Sequence, residues 1–281
     1  MAVNLQEKKI GLIAGNGPFP VIFAKKATQK GWTVFANGYE NETDPILADH
    51  VAVMQTIHIG QVKRLIRFFK DHGITGAVIL GGIGKPSAFS DIKPDLKALS
   101  LLAGMRKNTG DDRVLRAFAS LLENEGIRIL PSTFLLPEIL APEGRWTKRK
   151  PSKTERLDID LGWKIAKAVG RLDIGQCVVV GRGSVLAVEA IDGTDATILR
   201  GGALGKGVSV VVKVCKPTQD FRFDVPAVGV GTINRMHEAK ITALCVEAGK
   251  TVVFERDEMI AAADRFGISI VAVKDKDGEK I

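Results

Sequence analysis

Acidic and basic side chains alternate in the stretch QDFRFDVP. If this stretch is extended, Asp220, Arg222 and Asp224 share one face and Phe221 and Phe223 the other, because side chains alternate along a strand. The apolar face would anchor the segment while the acid–base–acid row faces a cleft. Such a row fits phosphoryl chemistry, in which carboxylates hold Mg²⁺ or orient water and a guanidinium offsets phosphate charge. A surface strand on which Arg222 only neutralises its neighbours is the alternative.

A second acidic stretch, AVEAIDGTD, places a glutamate inside an apolar run that resembles a strand. A buried carboxylate needs hydrogen-bond partners or a cation, so Glu189 is a candidate contact for a positive group. Asp192 and Thr194 follow, and either residue could cap a helix that begins near Thr194. Capping accounts for these two residues without any function, but it does not account for Glu189.

Two glycine-rich loops follow apolar strands in the first half of the chain. In GNGPFP, Gly15, Asn16 and Gly17 would let backbone amides approach a phosphate near a helix N-terminus. Pro20 replaces the third glycine of the dinucleotide fingerprint, which weakens a nicotinamide-binding interpretation. A tight turn without a ligand is the alternative. The second loop, GGIGK, supplies further candidates for a phosphate or sugar: Gly81, Gly82, Gly84 and Lys85.

Strand and helix patterns alternate around these loops. Apolar strands are predicted at KIGLIAG, WTVFANGY and GAVILGGIGK, and QVKRLIRFFKDHG has the apolar spacing of a helix. This alternation is typical of a parallel sheet with helices on both faces. Residues 1–131 are therefore predicted to form a Rossmann-like domain. Ligands of such sheets bind beyond the carboxyl ends of the strands, which is where both glycine loops fall.

The pattern changes after the first domain. From Pro131 to Ser152 the chain has four prolines and the basic run KRK, so residues 132–152 are predicted to form a linker. Residues 153–281 are predicted to form a second α/β domain. There CVVVGRGSVLAVEAI is typical of a β-hairpin, VSVVVKV of a strand that includes Lys213, and INRMHEAKITALCVEAG of a helix.

The composition narrows the class of function. The 281 residues are 45% hydrophobic and 26% charged, as in soluble globular proteins, and we see neither a membrane-spanning run nor a secretory signal. Three scattered cysteines indicate a reduced cytoplasm. The net charge of +8 favours an anionic partner, but 6% aromatic residues and no recognition motif argue against nucleic acid. Isolated histidines and the lack of a Gly-x-Ser-x-Gly elbow argue against a Ser or Cys hydrolase.

Several segments together resemble the LpxI-type UDP-2,3-diacylglucosamine pyrophosphatases of Gram-negative lipid A synthesis. The matching stretches are IGLIAGNGPFP, GDDRVLRAFASLLENEG, LDIGQCVVVGRGSVLAVEAIDGTDATILRGG and VVVKVCKPTQDFRFDVPAVGVGTI. The resemblance implies two domains that hold the substrate between them. It also implies a hydrolysis, dependent on Mg²⁺ or another divalent metal, that yields UMP and 2,3-diacylglucosamine 1-phosphate (lipid X).

The resemblance assigns expectations to particular residues. Asp224 matches the family's essential acidic residue, and Asp220 and Arg222 join it as catalytic candidates. The expected metal ligands are Asp224, Asp192 and Glu189. The expected substrate-binding residues are Gly15, Asn16, Gly17, Gly81, Gly82, Gly84, Lys85, Glu189, Asp192, Gly193, Thr194 and Lys213. The chain departs from the family at Asp192, where a glutamate is expected, and at Ser132-Thr133, where a small residue and a histidine are expected.

These observations predict a cytoplasmic pyrophosphatase, peripheral on the anionic inner-membrane surface, that acts on a lipid-linked UDP-sugar. A homodimer is compatible with this prediction. A nicotinamide-dependent oxidoreductase and a non-catalytic nucleotide-sugar binding protein are the two alternatives.

Overall fold

A computed structural model of the chain describes residues 7–83, 94–103, 111–217, 219–223 and 225–275. The chain divides into two compact units. The first runs to Leu136 and also includes the segment Asp220–Asp224, whereas the second contains Pro137–Gln219 and Val225–Ile281. The division at residues 136 and 137 falls inside the predicted linker.

The described part of the first unit is a parallel sheet with helices. Its strands are β1 (Lys9–Ala14), β2 (Thr33–Tyr39), β3 (Val53–Ile57), β4 (Gly76–Leu80) and β5 (Arg128–Ile129). Its helices are α1 (Phe19–Gln29), α2 (Val62–Asp71), α3 (Leu96–Ala103) and α4 (Asp111–Asn124), with a 3₁₀ helix at Pro45–His50.

The five strands pair in the order β3–β2–β1–β4–β5, and all of them are parallel. Strands β1 and β4 are almost wholly buried, which explains their continuous apolar sequences. From β1 the chain adds strands first on one side and then, from β4 onward, on the other side. The strand order therefore reverses between β1 and β4, as in doubly wound α/β folds. The predicted Rossmann-like sheet is confirmed.

The described part of the second unit is a mixed α/β structure. Its strands are β6 (Gly144–Arg145), β7 (Cys177–Gly181), β8 (Ser184–Val188), β9 (Val210–Lys213), β10 (Ala227–Val228), β11 (Ala243–Glu247), β12 (Val252–Val253) and β13 (Ser269–Val273). Its helices are α5 (Lys153–Arg171), α6 (Gly193–Gly205), α7 (Val230–Glu238) and α8 (Arg256–Arg265), with a 3₁₀ turn at Pro137–Ile139.

Six of these strands form one sheet in the order β6–β13–β11–β9–β7–β8, and β10 pairs with β12 separately. Strands β13, β11 and β9 are parallel, whereas β6, β7 and β8 pair antiparallel to their neighbours. Helix α5 packs closely on this sheet at Gly162, because a Cβ there would lie 2.6 Å from a methyl group of Val212.

The predicted hairpin β7–β8 is confirmed, and its turn has a clear physical cause. Arg182 and Gly183 both have positive φ, 52° and 75°, as a two-residue hairpin turn of the I′ type requires. The buried carboxylate of Asp158 accepts both of their backbone N–H groups, at 2.9 and 2.7 Å. Asp158 belongs to helix α5, so this helix fixes the conformation of the turn.

The predicted helix through INRMHEAKITALCVEAG is wrong in its second half. Helix α7 ends at Glu238, Lys240 adopts a positive φ of 56°, and β11 begins at Ala243. All five residues of β11 are buried between β9 and β13, so tertiary pairing decides their conformation. Within the described residues, no helix combines the length and apolarity that a bilayer crossing requires.

Candidate functional site

The two predicted glycine loops of the first unit lie against each other. The N–H of Gly15 donates to the carbonyl of Leu80, and the N–H of Asn16 donates to the carbonyl of Gly82, both at 2.8 Å. A Cβ on Gly15 would lie 2.1 Å from the Gly82 oxygen, and one on Gly81 would lie 2.3 Å from the Asn16 oxygen. Close approach of the two backbones therefore requires glycine at both positions. The loops follow β1 and β4, at the point where the strand order reverses.

The backbone N–H groups of Gly15 and Asn16 are thus already bonded to the carbonyls of Leu80 and Gly82. A phosphate near GNGPFP would therefore be bound by other groups. Gly17 differs, because it has a φ of +86° and open space where a Cβ would stand. The amide side chain of Asn16 donates to Glu42 Oε2 at 2.7 Å, which fixes the loop to the residues after β2. The predicted contacts Gly84 and Lys85 lie outside the described residues.

A buried acid, a hydroxyl and a lysine meet in the second unit, and we call them the Glu189–Thr194–Lys213 cluster. Thr194 Oγ1 donates to Glu189 Oε1 at 2.5 Å and accepts from Lys213 Nζ at 3.1 Å. The N–H of Gln176 donates to Glu189 Oε2 at 2.9 Å, and Lys213 Nζ also donates to the carbonyl of Ala227 at 2.9 Å. Glu189 and Lys213 are each 7% exposed. The sequence prediction that Glu189 is buried and needs polar partners is confirmed.

The fold explains why these three side chains meet. Glu189 directly follows β8, Thr194 lies in the first turn of α6, and Lys213 is the last residue of β9. The cluster combines an ammonium group with the N-terminus of a 13-residue helix. Both features favour a bound anion. Lys213 and Thr194 were both expected to bind substrate, but the sequence gave no sign that the two side chains pair with each other.

Asp192 behaves differently from its predicted capping role. It occupies the N-cap position of α6, but its side chain makes no capping hydrogen bond. Instead, Oδ1 accepts the N–H of Ala190 at 3.1 Å and Oδ2 forms a salt bridge with Arg200. The hydrogen bond from Arg200 lowers the pKa of the Asp192 carboxyl group. The helix does begin as predicted, at Gly193, whose φ is +79°.

The segment 220–223 forms a turn, so the predicted extended row of alternating side chains is wrong. The N–H of Phe223 donates to the carbonyl of Asp220 at 3.1 Å, and Asp220 Oδ1 accepts the N–H of Arg222 at 3.1 Å. An aspartate side chain that accepts the backbone N–H two residues ahead stabilises a turn. Asp220, two residues before Arg222, is such an aspartate. Asp224 lies outside the described residues.

The guanidinium of Arg222 is surrounded by carboxylates. Its Nε and Nη2 donate to the two oxygens of Asp220 at 3.0 and 2.8 Å, and its Nη1 donates to Glu123 Oε1 at 3.1 Å. The bond from Arg222 lowers the pKa of Asp220, and the bond to Asp220 raises the pKa of Arg222. Glu123 lies 99 residues before Arg222 in the chain, and no sequence signal indicated this contact.

The carboxylates that the structure describes do not fit a metal site among themselves. No group of three His, Cys, Asp or Glu side chains in the described chain is arranged to hold an ion. Glu189 is held by an amide and a hydroxyl, Asp192 by Arg200 and Asp220 by Arg222. We therefore assign no chemical step to a metal.

The cysteines are unsuited to nucleophilic chemistry. All three are buried, and none of them forms a disulfide bond. Burial raises the pKa of the Cys177 and Cys245 thiols to about 12, so neither forms a thiolate at neutral pH. This agrees with the sequence-based argument against a cysteine hydrolase.

An open parallel sheet with two glycine loops at its reversal point defines the first unit as a doubly wound α/β domain. Comparison with known families then places the whole chain. The LpxI N-terminal domain matches residues 9–139, and the LpxI C-terminal domain matches residues 142–271. A UDP-2,3-diacylglucosamine pyrophosphatase LpxI from Caulobacter vibrioides is 34% identical over 278 residues, which cover 95% of this chain and 98% of the relative. The chain belongs to the LpxI family, and the resemblance inferred from its motifs is confirmed.

Two solved structures show distant similarity to this chain. The biotin carboxylase domain of 2-oxoglutarate carboxylase from Hydrogenobacter thermophilus is 14% identical over 63% of this chain and 35% of its own, with a TM-score of 0.27. N5-carboxyaminoimidazole ribonucleotide synthetase from Thermotoga maritima is 15% identical over 66% of this chain and 41% of its own, with a TM-score of 0.26. The chain spans less than half the length of these proteins, and similarity at this level carries no argument about function.

Proposed function

We propose that the protein hydrolyses the pyrophosphate of UDP-2,3-diacylglucosamine and releases UMP and 2,3-diacylglucosamine 1-phosphate. Family membership across both domains carries this proposal, because the Caulobacter relative named for that activity is matched over 98% of its length. The family match favours hydrolysis over the nicotinamide-dependent alternative, as does the proline that replaces the third glycine of the fingerprint.

The Glu189–Thr194–Lys213 cluster supports an anion-binding role for the second unit. Lys213 provides a positive charge at the carboxyl end of β9. Its hydrogen bond to Thr194 holds the ammonium group beside the N-terminus of α6. Glu189 holds the threonine hydroxyl at 2.5 Å and thereby fixes its orientation. In the proposal, the ammonium and the first amides of α6 bind substrate phosphate oxygens and offset negative charge that develops in the transition state.

Water attacks one phosphorus of the diphosphate, and the bond from that phosphorus to the bridging oxygen breaks. We assign Asp224 to this step, where it would take the proton of the attacking water or hold the expected cation, because the family resemblance implies that this position carries the essential acid. Mg²⁺ or another divalent metal, which the family resemblance implies, stays a prediction from the sequence, and no step is assigned to it.

The net charge of +8 supports action at an anionic membrane surface, where an acylated substrate would reside. The inner membrane is therefore the proposed location. The homodimer stays a prediction from the sequence.

Two measurements on the purified protein test the proposal. UDP is expected to raise the melting temperature and NADH is expected to leave it unchanged, whereas the reverse pattern would support the oxidoreductase alternative. UMP release from UDP-2,3-diacylglucosamine is expected for the wild type and for Asp71→Ala, which changes an exposed aspartate that pairs at 3.5 Å with Arg67. Asp224→Ala is expected to lose turnover. Full turnover in that variant would remove Asp224 from its role.

A further inference from the structure

The segment Asp220–Asp224 belongs to the first unit, although the residues on both sides of it belong to the second. Before the segment, the N–H of Cys215 donates to the buried carboxylate of Glu247 at 2.8 Å. After it, the N–H of Val252 donates to the carbonyl of Pro226 at 2.8 Å. The chain therefore leaves a fixed point in the second unit, contributes one turn to the first unit, and returns to another fixed point.

Charged side chains hold this turn in the first unit. Arg222 bonds to both oxygens of Asp220 and to Glu123, which lies on α4. Arg116, also on α4, approaches Asp220 Oδ2 to 4.0 Å. Among the described residues, two acids thus meet two bases at this turn. Asp220, Arg222 and Glu123 have side chains that are 16%, 28% and 37% exposed, so solvent screens their attraction only partly.

Backbone and apolar contacts hold the same turn from its other sides. The carbonyl of Phe221 accepts from both the N–H and the hydroxyl of Ser132, at 2.9 and 3.1 Å. Phe223 packs against the apolar core of the first unit, and the guanidinium of Arg222 lies 4.9 Å from the centre of its ring. Ser132 is 2% exposed, so these two hydrogen bonds are shielded from solvent.

We propose that Asp220, Arg222 and Glu123 form a clasp that positions the segment carrying Asp224 for the proposed hydrolysis. The residues of the clasp bond to one another and act through the chain segment, so they are positioning residues. This inference rests on the proposed function in one respect, because Asp224 follows Phe223 directly in the sequence. The sequence predicts that Asp220 and Arg222 act at the phosphate. In this proposal they hold the neighbouring acid, Asp224, in position instead.

The geometry makes a specific demand on the basic residue. Arg222 uses three different nitrogens, two on Asp220 and one on Glu123. A planar guanidinium meets both carboxylates at once, whereas the ammonium of lysine is a single point of charge on a flexible stem. Arg222→Lys is therefore expected to resemble loss of the clasp, although it keeps the charge.

The test uses Glu123→Ala in the full-length protein, with Asn124→Ala as the matched control on an exposed position of the same helix. Glu123→Gln keeps an acceptor oxygen and serves as the conservative variant. Hydrogen exchange of the peptide spanning residues 219–226 is expected to rise about tenfold in Glu123→Ala, because one charge-assisted bond is lost. The turnover number for UDP-2,3-diacylglucosamine is expected to fall on the order of tenfold to a hundredfold, with KM within about twofold. Asn124→Ala should match the wild type, and Glu123→Gln should lie between.

Three outcomes separate the possible failures. Unchanged exchange in Glu123→Ala would overturn the clasp. Faster exchange with an unchanged turnover number would overturn its positioning role and leave only a structural contact. If the wild type releases no UMP, the proposed function fails, while the exchange data still decide whether Glu123 holds the segment. A general loss of folding is recognised by faster exchange in β1 and β4 as well.

Discussion

Thr194→Val is the sharpest test of the Glu189–Thr194–Lys213 cluster. Valine has nearly the shape of threonine, so the change removes the hydroxyl without opening a large cavity. Two hydrogen bonds to charged groups are lost, one to Glu189 and one from Lys213. Each such bond contributes roughly 1.5–3 kcal/mol. Both charged groups keep one other partner, on Gln176 and Ala227, so we expect a loss of about 3 kcal/mol in total.

The tryptophans allow this loss to be measured in the second unit alone. Trp32 lies in the first unit, whereas Trp146 and Trp163 lie in the second. In a Trp32→Phe background, urea unfolding followed by fluorescence therefore reports on the second unit. With an m-value of about 2 kcal/mol per molar, the midpoint should fall by about 1.5 M.

Thr194→Ser is the control, because it keeps the hydroxyl and should stay within about 1 kcal/mol of the background. Equal midpoints for the valine and serine variants would contradict the argument that the hydroxyl links the two buried charges.

Three further predictions follow from the described contacts. Gly81→Ala should lower the free energy of unfolding of the first unit by more than about 3 kcal/mol, because Gly81 has a φ of +83° and its Cβ would meet the Asn16 oxygen, whereas Gly17→Ala should cost only about 1 kcal/mol. Urea unfolding followed by the fluorescence of Trp32 measures both losses, and equal losses would contradict the close-approach explanation. Burial opposes ionisation of Glu155, but hydrogen bonds from neighbouring side chains and backbone outweigh it and lower its pKa. The ionised Glu155 carboxylate therefore stabilises the fold above the unfolded pKa of about 4.3, and this stabilisation is lost as the pH falls through the lower folded pKa. The free energy of unfolding in urea should decline from pH 5 to pH 3, and Glu155→Gln should reduce that decline. An equal decline in both proteins would refute this assignment. Cys177 should not react with a thiol reagent at pH 8 until the protein is unfolded, since burial raises its pKa to about 12; rapid labelling of the native protein, traced by mass spectrometry, would show that the thiol is accessible.

The parallel sheet was predictable because its signals are local. Strands buried on both faces read as continuous apolar runs, and glycines follow β1 and β4 because two backbones approach within contact distance there. The hairpin was predictable from Arg182 and Gly183 for the same reason. Strand β11 was not, since a short apolar run can be a buried helix or a buried strand, and only its neighbours β9 and β13 decide.

The candidate site was predictable in its residue types more than in its pairings. Glu189 stood out because a lone carboxylate in an apolar strand needs a partner, and the structure supplies Thr194 from the following helix. The turn at 220–223 was missed because the alternation of charged and apolar residues favours a strand, although Asp220 can also accept the amide two residues ahead. The bond from Arg222 to Glu123 was not predictable, because 99 residues separate the two in the chain. Contacts between distant segments leave no periodicity that a single sequence could reveal.

Product analysis tests the central claim most directly. The purified protein is incubated with UDP-2,3-diacylglucosamine and Mg²⁺ in water enriched in oxygen-18. The products are then separated and quantified, and their masses are measured by mass spectrometry. Pyrophosphate hydrolysis predicts equal amounts of UMP and 2,3-diacylglucosamine 1-phosphate, with a single heavy oxygen in one of the two. Intact substrate, or UDP together with the free diacyl sugar, would contradict the proposal.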